Sequence, residues 1–335
     1  MRHFYLFTLF LATLLLTSCQ SESVTPTKGS IIIFGTFVEI VVYDQHKENA
    51  EKAIAKVEET FQVMHKEWHA WEKGGIVSKI NQAIADQKPI KVPQSVKNFI
   101  ITSQKLSQES HGLFDPGIGS LVALWGFHSE KWQGPPPTKE NIQAWLNHKP
   151  SIANISFKNN QLISSNKYVQ LDFGGNAKGL AIDIALNTLK KAGIKNALVS
   201  IGGDMKVIGT KNHQAWSIGI QNPKNPDSAI AKISLNSGES IVSSGTYQRY
   251  FEWQGQRYSH ILNPNTGYPA NSFSSVTVIH SDATTADSAA TALLIAGPEN
   301  WLKTAHDMGV TQAFCIDQSG KIFQTKAMSK RIKLL

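Results

Sequence analysis

The sequence predicts a mixed α and β protein, with strand-like and helix-like stretches alternating along most of the chain. Three observations predict it. Runs rich in β-branched residues, such as 31–43 and 275–280, read as strands. Between them, Ala50, Ala53, Ile54, Val57, Phe61 and Met64 recur at the spacing of one helix face. Two further apolar runs end on glycine pairs, Gly174-Gly175 and Gly202-Gly203, the second followed at once by Asp204. At 335 residues, with 41% hydrophobic and 17% charged content, the chain can bury a sizeable core in one large domain or two intimately packed ones. That composition excludes a disordered chain.

The first residues stand apart from this pattern. Arg2 and His3 precede an apolar run over 4–16, which then ends in Leu16-Thr17-Ser18-Cys19. A short charged start, a hydrophobic stretch and small residues at its end are the parts of a secretory leader. The run is too short for a comfortable permanent span. The Leu-Thr-Ser-Cys ending looks like a bacterial lipobox, which implies cleavage before Cys19 and a lipid on its thiol. The expected organisation is a signal peptide over 1–18, a flexible tether over 19–30 and one folded domain over 31–335. The only other cysteine, Cys315, sits in an apolar strand-like run and reads as a small buried hydrophobe. A formal net charge of +8 favours anionic ligands and membrane surfaces. No basic run carries interleaved aromatics, so nucleic acid is not the expected partner.

Within the domain, 31–43 reads as a strand pair or one long strand interrupted at Gly35. Helices are expected over 50–68 and 96–106, the second with Pro93 near its start. The glycines and aromatics of 111–128 fit no period and read either as a loop closing over something flat or as a connection with its own apolar cluster. Thr138 is a plausible N-cap for a helix over 141–146. Residues 155–171 read as a hairpin around Lys158-Asn159-Asn160. A helix over 177–191 should stop at Gly193. Strands are expected near 197–208, 216–220, 230–235 and 275–280, with a hairpin in 241–269. A helix of small residues over 284–296 should end at Gly297-Pro298.

Chemistry-bearing residues gather at three places. In 169–183, Val169, Leu171 and Phe173 alternate as a short strand, the glycine pair turns the chain, and a helix begins. The unpaired N–H groups at its start, with Lys178 and Asp172 beside them, suit a phosphate; a plain strand-to-helix turn with a solvated lysine fits equally. Asp287 and Thr291 share a face of the late helix one turn apart. A carboxylate and a hydroxyl there suit a hard cation, or are simply a polar helix face. His260 alternates with Tyr258 and Leu262, as a hydrogen-bonded structural histidine also would.

Taken in order, these motifs resemble the ApbE family of FAD:protein FMN transferases. The resemblance rests on Phe34-Gly35-Thr36, Phe114-Asp115-Pro116, Leu124-Trp125-Gly126-Phe127 and the run 171–179, LDFGGNAKG. It continues through Ile201-Gly202-Gly203-Asp204, Ser244-Gly245, Arg249-Tyr250-Phe251, Tyr258-Ser259-His260-Ile261, Pro264-Asn265-Thr266-Gly267 and Ala286-Asp287 to Thr291. It implies an α+β fold of mixed sheets with helices packed outside, related to the tunnelling fold. It implies transfer of the FMN half of FAD to a threonine hydroxyl of a target protein, with AMP released. A Mg²⁺ ion would be held by the main-chain carbonyl at Gly175 with Asp287 and Thr291. Asp172 and Lys178 would contact FAD, and Phe34, Trp71, Leu113, Phe114 and Asp115 would line the nucleotide or flavin site. His260 would assist proton transfer, for which an unperturbed imidazole is suited. The implied acceptors are subunits of membrane redox complexes, and the implied location is the bacterial cell envelope, lipid-anchored and facing the periplasm or exterior. Phe34 stands where the family usually has Met, and Leu180 where Tyr is common. Two other readings use the same pocket: Mg-dependent hydrolysis of FAD to FMN and AMP, and a flavin-binding lipoprotein without turnover.

Overall fold

The computed structural model describes residues 25–44, 46–129 and 131–335. Cys19, the leader and the first part of the tether lie outside the described residues. The domain begins with β1 (Thr27–Ile33) and β2 (Thr36–Val42), an antiparallel hairpin with Ile33 opposite Thr36. Phe34 and Gly35 between them take φ values of 57° and 69°, the two-residue turn that matches strand twist. β1 starts inside the stretch that reads as tether, which corrects the boundary at residue 30. It is an edge strand with Lys28, Ser30 and Ile32 on an exposed face, so its composition mimics a linker.

The elements that follow are α1 (Lys47–Trp68), α2 (Ile76–Ala85), β3 (Ile90–Lys91), α3 (Gln94–Glu109), α4 (Gly119–Leu124) and α5 (Lys139–His148). Thr138 caps α5 by accepting from the Asn141 N–H. Next come β4 (Ile155–Lys158), β5 (Gln161–Ser164), α6 (Ala177–Lys191), β6 (Ala197–Ile201) and β7 (Asp204–Ile208). Then follow β8 (Trp216–Asn222), β9 (Asn225–Leu235), β10 (Ser240–Gly245), β11 (Tyr250–Trp253), β12 (Gln256–Ser259) and β13 (Phe273–His280). The chain closes with α7 (Ala283–Asp307), β14 (Gln312–Asp317), β15 (Ile322–Gln324), α8 (Lys326–Ser329) and β16 (Lys333–Leu334).

One eight-stranded antiparallel sheet, β1-β2-β6-β7-β10-β13-β14-β15, forms the spine. On one face α1 and α6 bury Val57, Phe61, Ile182 and Leu186 against Val38, Ile40 and Val199. On the same side α7 packs Ala289 and Leu293 against Val276, Val278 and Cys315. A small sheet, β16-β9-β8, covers the other face through Trp216, Ile218 and Ile233. β13 is therefore buried from both sides, which is why it reads as a continuous apolar run. Each such buried Leu, Ile or Phe contributes roughly 1.5–3 kcal/mol. A third sheet, β3-β5-β4, joins α2 and α3 in a lobe around Val77, Ile80, Phe99 and Leu162.

Several expectations change in detail. Residues 169–173 are extended and bury Val169, Leu171 and Phe173, but they join no sheet beyond a single bridge from Gln170 to Ile118. Alternation here reflects packing on the α2–α3 lobe rather than a ladder. The run 111–128 is a connection with its own cluster: it contains α4, and Trp125 packs with Phe251 and Leu262. Gly297 does break the late helix, with φ 68° and ψ 179°, but a second helical stretch continues to Asp307 from Pro298. The two glycine pairs do different work. Gly174-Gly175 leads into α6, whereas Gly202-Gly203, with φ 60° and 93°, turns the β6–β7 hairpin.

The site is set by where these turns fall. The β1–β2 and β6–β7 turns share one end of the sheet, where the Gly202 N–H donates to the Phe37 carbonyl at 3.0 Å. At that end α6 crosses α7 closely. A methyl at Gly179 would overlap the Ala283 carbonyl oxygen and stand 2.8 Å from Thr284 Cα. Gly179→Ala is therefore expected to cost about 1–3 kcal/mol through forced separation of the helices. Thermal melting checks this, and an unchanged transition would contradict the close crossing.

Candidate active site

The extended segment 169–173 delivers Asp172 to the mouth of the glycine turn. Asp172 Oδ1 accepts from the Gly174 N–H at 2.8 Å, and its Oδ2 accepts from Trp71 Nε1 at 3.0 Å. Trp71 lies in turn against His128, ring centroids 5.1 Å apart. Gly175 is pressed between two groups: a side chain there would stand 3.3 Å from the Phe114 ring and 3.9 Å from Thr291 Oγ1. The main chain at Gly175 therefore runs alongside Thr291, where a bulkier residue would push it off.

In the first turn of α6, Lys178 points into a buried acidic pair. Its Nζ bonds to Asp204 Oδ2 and lies 3.5 Å from Asp287 Oδ1. Both carboxylates are almost fully buried, at 3% and 2% exposure. Asp204 also accepts from the Ser243 N–H at 3.0 Å, and Asp287 Oδ2 from the Gly179 N–H at 3.0 Å. That last bond revises one expectation, because this amide at the start of α6 serves Asp287 rather than standing free for a phosphate. Burial opposes the Lys178 charge, but Asp204 and Asp287 overcome it and push the ammonium above its usual range. Burial lifts the Asp287 carboxyl to about 7, with Asp204 adding to the rise and Lys178 opposing it.

One ammonium thus faces two buried carboxylates, leaving an excess of negative charge. Thr291 Oγ1 adds an oxygen, and Ser244 Oγ lies 3.3 Å from it. Among the described residues no three His, Cys, Asp or Glu side chains cluster as a metal site. The donors at hand are a carboxylate, hydroxyls and nearby main chain. All are hard oxygens, and the charge imbalance is one that a magnesium-like cation relieves, so the residues fit such an ion.

His260 follows β12. Its ring Nδ1 lies 3.1 Å from the Arg249 carbonyl, which can only accept, so Nδ1 carries the proton and Nε2 the lone pair. Burial, then Arg249 and Lys178, lower its pKa to about 4. The imidazole is therefore perturbed, contrary to expectation, and stays neutral throughout the physiological range. Arg249 also reaches the β1–β2 turn: a methyl on Gly35 would lie 3.7 Å from its Nη2. Phe34 beside it packs edge-on against Phe61 and His65, at 5.5 and 5.8 Å.

The structure thus gathers Gly175, Lys178, Asp287 and Thr291 at one point, with Asp172–Trp71 at one rim and Phe34 near Arg249 and His260 at another. Phe114 buries against Gly175, and Leu113 packs into the α7 core. Asp115 is different. Its carboxylate accepts from the Gly117 N–H at 2.7 Å, the Ile152 N–H at 2.9 Å and the Ser151 hydroxyl at 2.5 Å, so it ties its own loop to 151–152. Burial raises its pKa against those three bonds. Sequence reasoning has Asp204 and Ser244 only as parts of motifs, with Asp204 as a second choice for the proton acceptor, and assigns neither to the cation or FAD contacts. The signal available was the second glycine pair, which positions Asp204 as the first does Lys178.

Residues 34–315 match the sequence profile of the ApbE family. An FAD:protein FMN transferase of Rhodobacter capsulatus is 34% identical over 304 residues, covering 90% of this chain and 57% of its own length. This chain therefore spans little more than half of that relative. An FAD:protein FMN transferase of Klebsiella pneumoniae is 29% identical over 331 residues, covering 94% and 92% of the two chains. Among solved structures, the ApbE protein of Thermotoga maritima superposes with a TM-score of 0.84 at 32% identity, covering 91% of this chain and 99% of that one. The flavinyl transferase ApbE of Pseudomonas stutzeri, in its apo form, gives 0.80 at 28% identity, covering 91% and 96%. The eight-stranded spine, the site at its turn end and these likenesses agree, and the chain belongs to the ApbE family.

Proposed function

We propose that this chain is an FAD:protein FMN transferase that moves the FMN half of FAD onto a threonine hydroxyl of an acceptor protein and releases AMP. The observation that carries the reading is the buried Lys178–Asp204–Asp287 group with Thr291 beside the glycine turn, within electrostatic reach of a histidine whose Nε2 carries the lone pair. Gly175, Asp287 and Thr291 would hold a Mg²⁺ ion, which would supply positive charge against the negative charge that develops on the phosphate groups. Lys178 and Asp172 contact FAD, and Phe34, Trp71, Leu113 and Phe114 line its flavin and nucleotide ends. Asp115 supports that wall through its loop bonds.

The step is an in-line displacement. The acceptor threonine Oγ bonds to the phosphorus of the FMN phosphate as the bridging P–O bond to the AMP phosphate breaks. The hydroxyl proton passes to His260 Nε2, and AMP departs with the bridging oxygen. His260 can take this proton because its Nδ1 is held on the Arg249 carbonyl, which leaves the lone pair on Nε2. Chromatography of FAD, FMN and AMP tests the reading: AMP should appear only with both Mg²⁺ and an acceptor protein present. AMP and free FMN in equal amounts without acceptor would instead make the chain an FAD hydrolase.

The same reading places the enzyme in the cell envelope, tethered by a lipid on Cys19 with the domain facing the periplasm or exterior. Its support is Leu16-Thr17-Ser18-Cys19 and the polar stretch after it. The acceptors are accordingly subunits of membrane redox complexes. Cys19→Ala should shift the protein from the membrane fraction to an unlipidated form, and unchanged fractionation would contradict the anchor.

A further inference from the structure

α6 and β7 carry two crossed ion pairs. Lys178 of α6 meets Asp204 of β7, and Asp183 of α6 meets Lys206 of β7, Nζ to Oδ1 at 2.5 Å. The first pair belongs to the site. The second lies away from it, with side chains only 12% and 15% exposed. Asp183 also reaches a third element. Its Oδ2 accepts from the Ala283 N–H at 3.0 Å, the Thr284 N–H at 3.2 Å and the Thr284 hydroxyl at 3.3 Å. α7 already has its own N-cap, since Asp282 Oδ1 accepts from the Thr285 N–H at 2.7 Å. A carboxylate from another helix therefore takes the two first-turn amides that the local cap leaves over.

We propose that Asp183, held by Lys206, is a positioning residue that sets the register of α7 on α6 and thereby places Asp287 for the cation. This rests on the reading of the site given above. The geometry is a one-turn lever. Ala283 and Asp287 are four residues apart on α7, about 6 Å along the axis. Asp183 and Gly179 have the same spacing on α6, and each of these two levels of α6 binds one level of α7. The upper contact fixes backbone amides of α7 to Asp183, and the lower one fixes Asp287 to the Gly179 N–H. With no side chain on Gly179 the helices touch directly, so the Asp183 bonds resist sliding of α7 along α6. Lys206 keeps the buried Asp183 charge paired and aimed, which a neutral neighbour would not do.

The test measures cation binding apart from turnover. Mn²⁺ is titrated into the FAD-saturated protein and its free-ion EPR signal followed, for wild type, Asp183→Ala, Asp183→Asn and Lys206→Met. Asp183→Ala is expected to weaken Mn²⁺ binding by about 10–100-fold, the range for residues that orient a ligand without touching the metal. Asp183→Asn keeps an oxygen for the Ala283 and Thr284 amides and should lose less. FAD affinity in EDTA should stay at the wild-type value in each. A Mn²⁺ affinity for Asp183→Ala equal to wild type, with transfer falling only with the folded fraction, would overturn the proposal. If that variant does not fold, Lys206→Met decides in the same way. Failure of wild type to bind Mn²⁺ at all would overturn the cation reading itself, and the positioning role with it.

Discussion

Asp287→Asn is expected to lower FMN transfer by about 10³-fold or more while leaving the fold intact. The carboxylate is buried and stands one helical turn from Thr291 on α7, and its charge is what a divalent cation answers. Losing a metal's stabilisation of developing phosphate charge removes several kcal/mol of barrier lowering, and about 4 kcal/mol corresponds to that factor. The cost to the fold should be small. Burial already disfavours the charged form of this group, lifting it to about 7, and the amide oxygen of Asn can still accept from the Gly179 N–H. FAD binding should weaken much less than turnover. Kinetics with saturating Mg²⁺, a melting curve and an FAD titration on one preparation separate these effects. Transfer within tenfold of wild type would remove Asp287 from the cation site, as would wild-type activity that survives EDTA.

Replacing His260 by Ala should cost about 10²–10⁴-fold in transfer, the usual contribution of a positioned general base. The loss should persist at saturating FAD and acceptor, because a proton-transfer role acts in the transition state. The pH behaviour is specific. A folded-state pKa near 4 leaves the imidazole neutral above about pH 5, so transfer should show no His260 titration near the ordinary value of 6.5. Acid should also act on the fold. In the unfolded chain this histidine takes up its proton as pH falls through 6.5, while in the folded protein it resists until about 4. Stability should therefore fall with pH between those values, and His260→Gln should flatten that part of the curve. A stable variant that binds FAD normally and transfers at wild-type rate would exclude His260 as the base.

Much of the architecture could be read from local pattern. The spacing of Ala50 to Met64 gave α1, the Asn159-Asn160 pair gave the β4–β5 turn, and Gly193 marked the end of α6. α2 went unread although Val77, Ile80 and Ile84 carry its buried face, because two glycines and a short length masked the period. The first half of β1, residues 27–30, was hidden by the polar face of an edge strand, and 169–173 looked like a strand because packing alone produced its alternation. The site divides in the same way. Asp287 and Thr291 are one turn apart and pair on inspection. Lys178 lies 109 residues from Asp287 and 26 from Asp204, and Asp183 lies 100 from Ala283. Only the crossing of α6 over β7 and α7 brings those groups together, so their charges and pKa shifts belong to the fold rather than to any motif.

The central claim is that FMN leaves FAD for a threonine on another protein. Intact-mass and peptide-level mass spectrometry of an acceptor, after incubation with this enzyme, FAD and Mg²⁺, tests it most directly. The account predicts a gain of one FMN less one water on a single threonine, matched by one AMP released, and no gain with EDTA or Asp287→Asn. An unmodified acceptor in a reaction that consumes FAD, or no consumption of FAD at all, would contradict it.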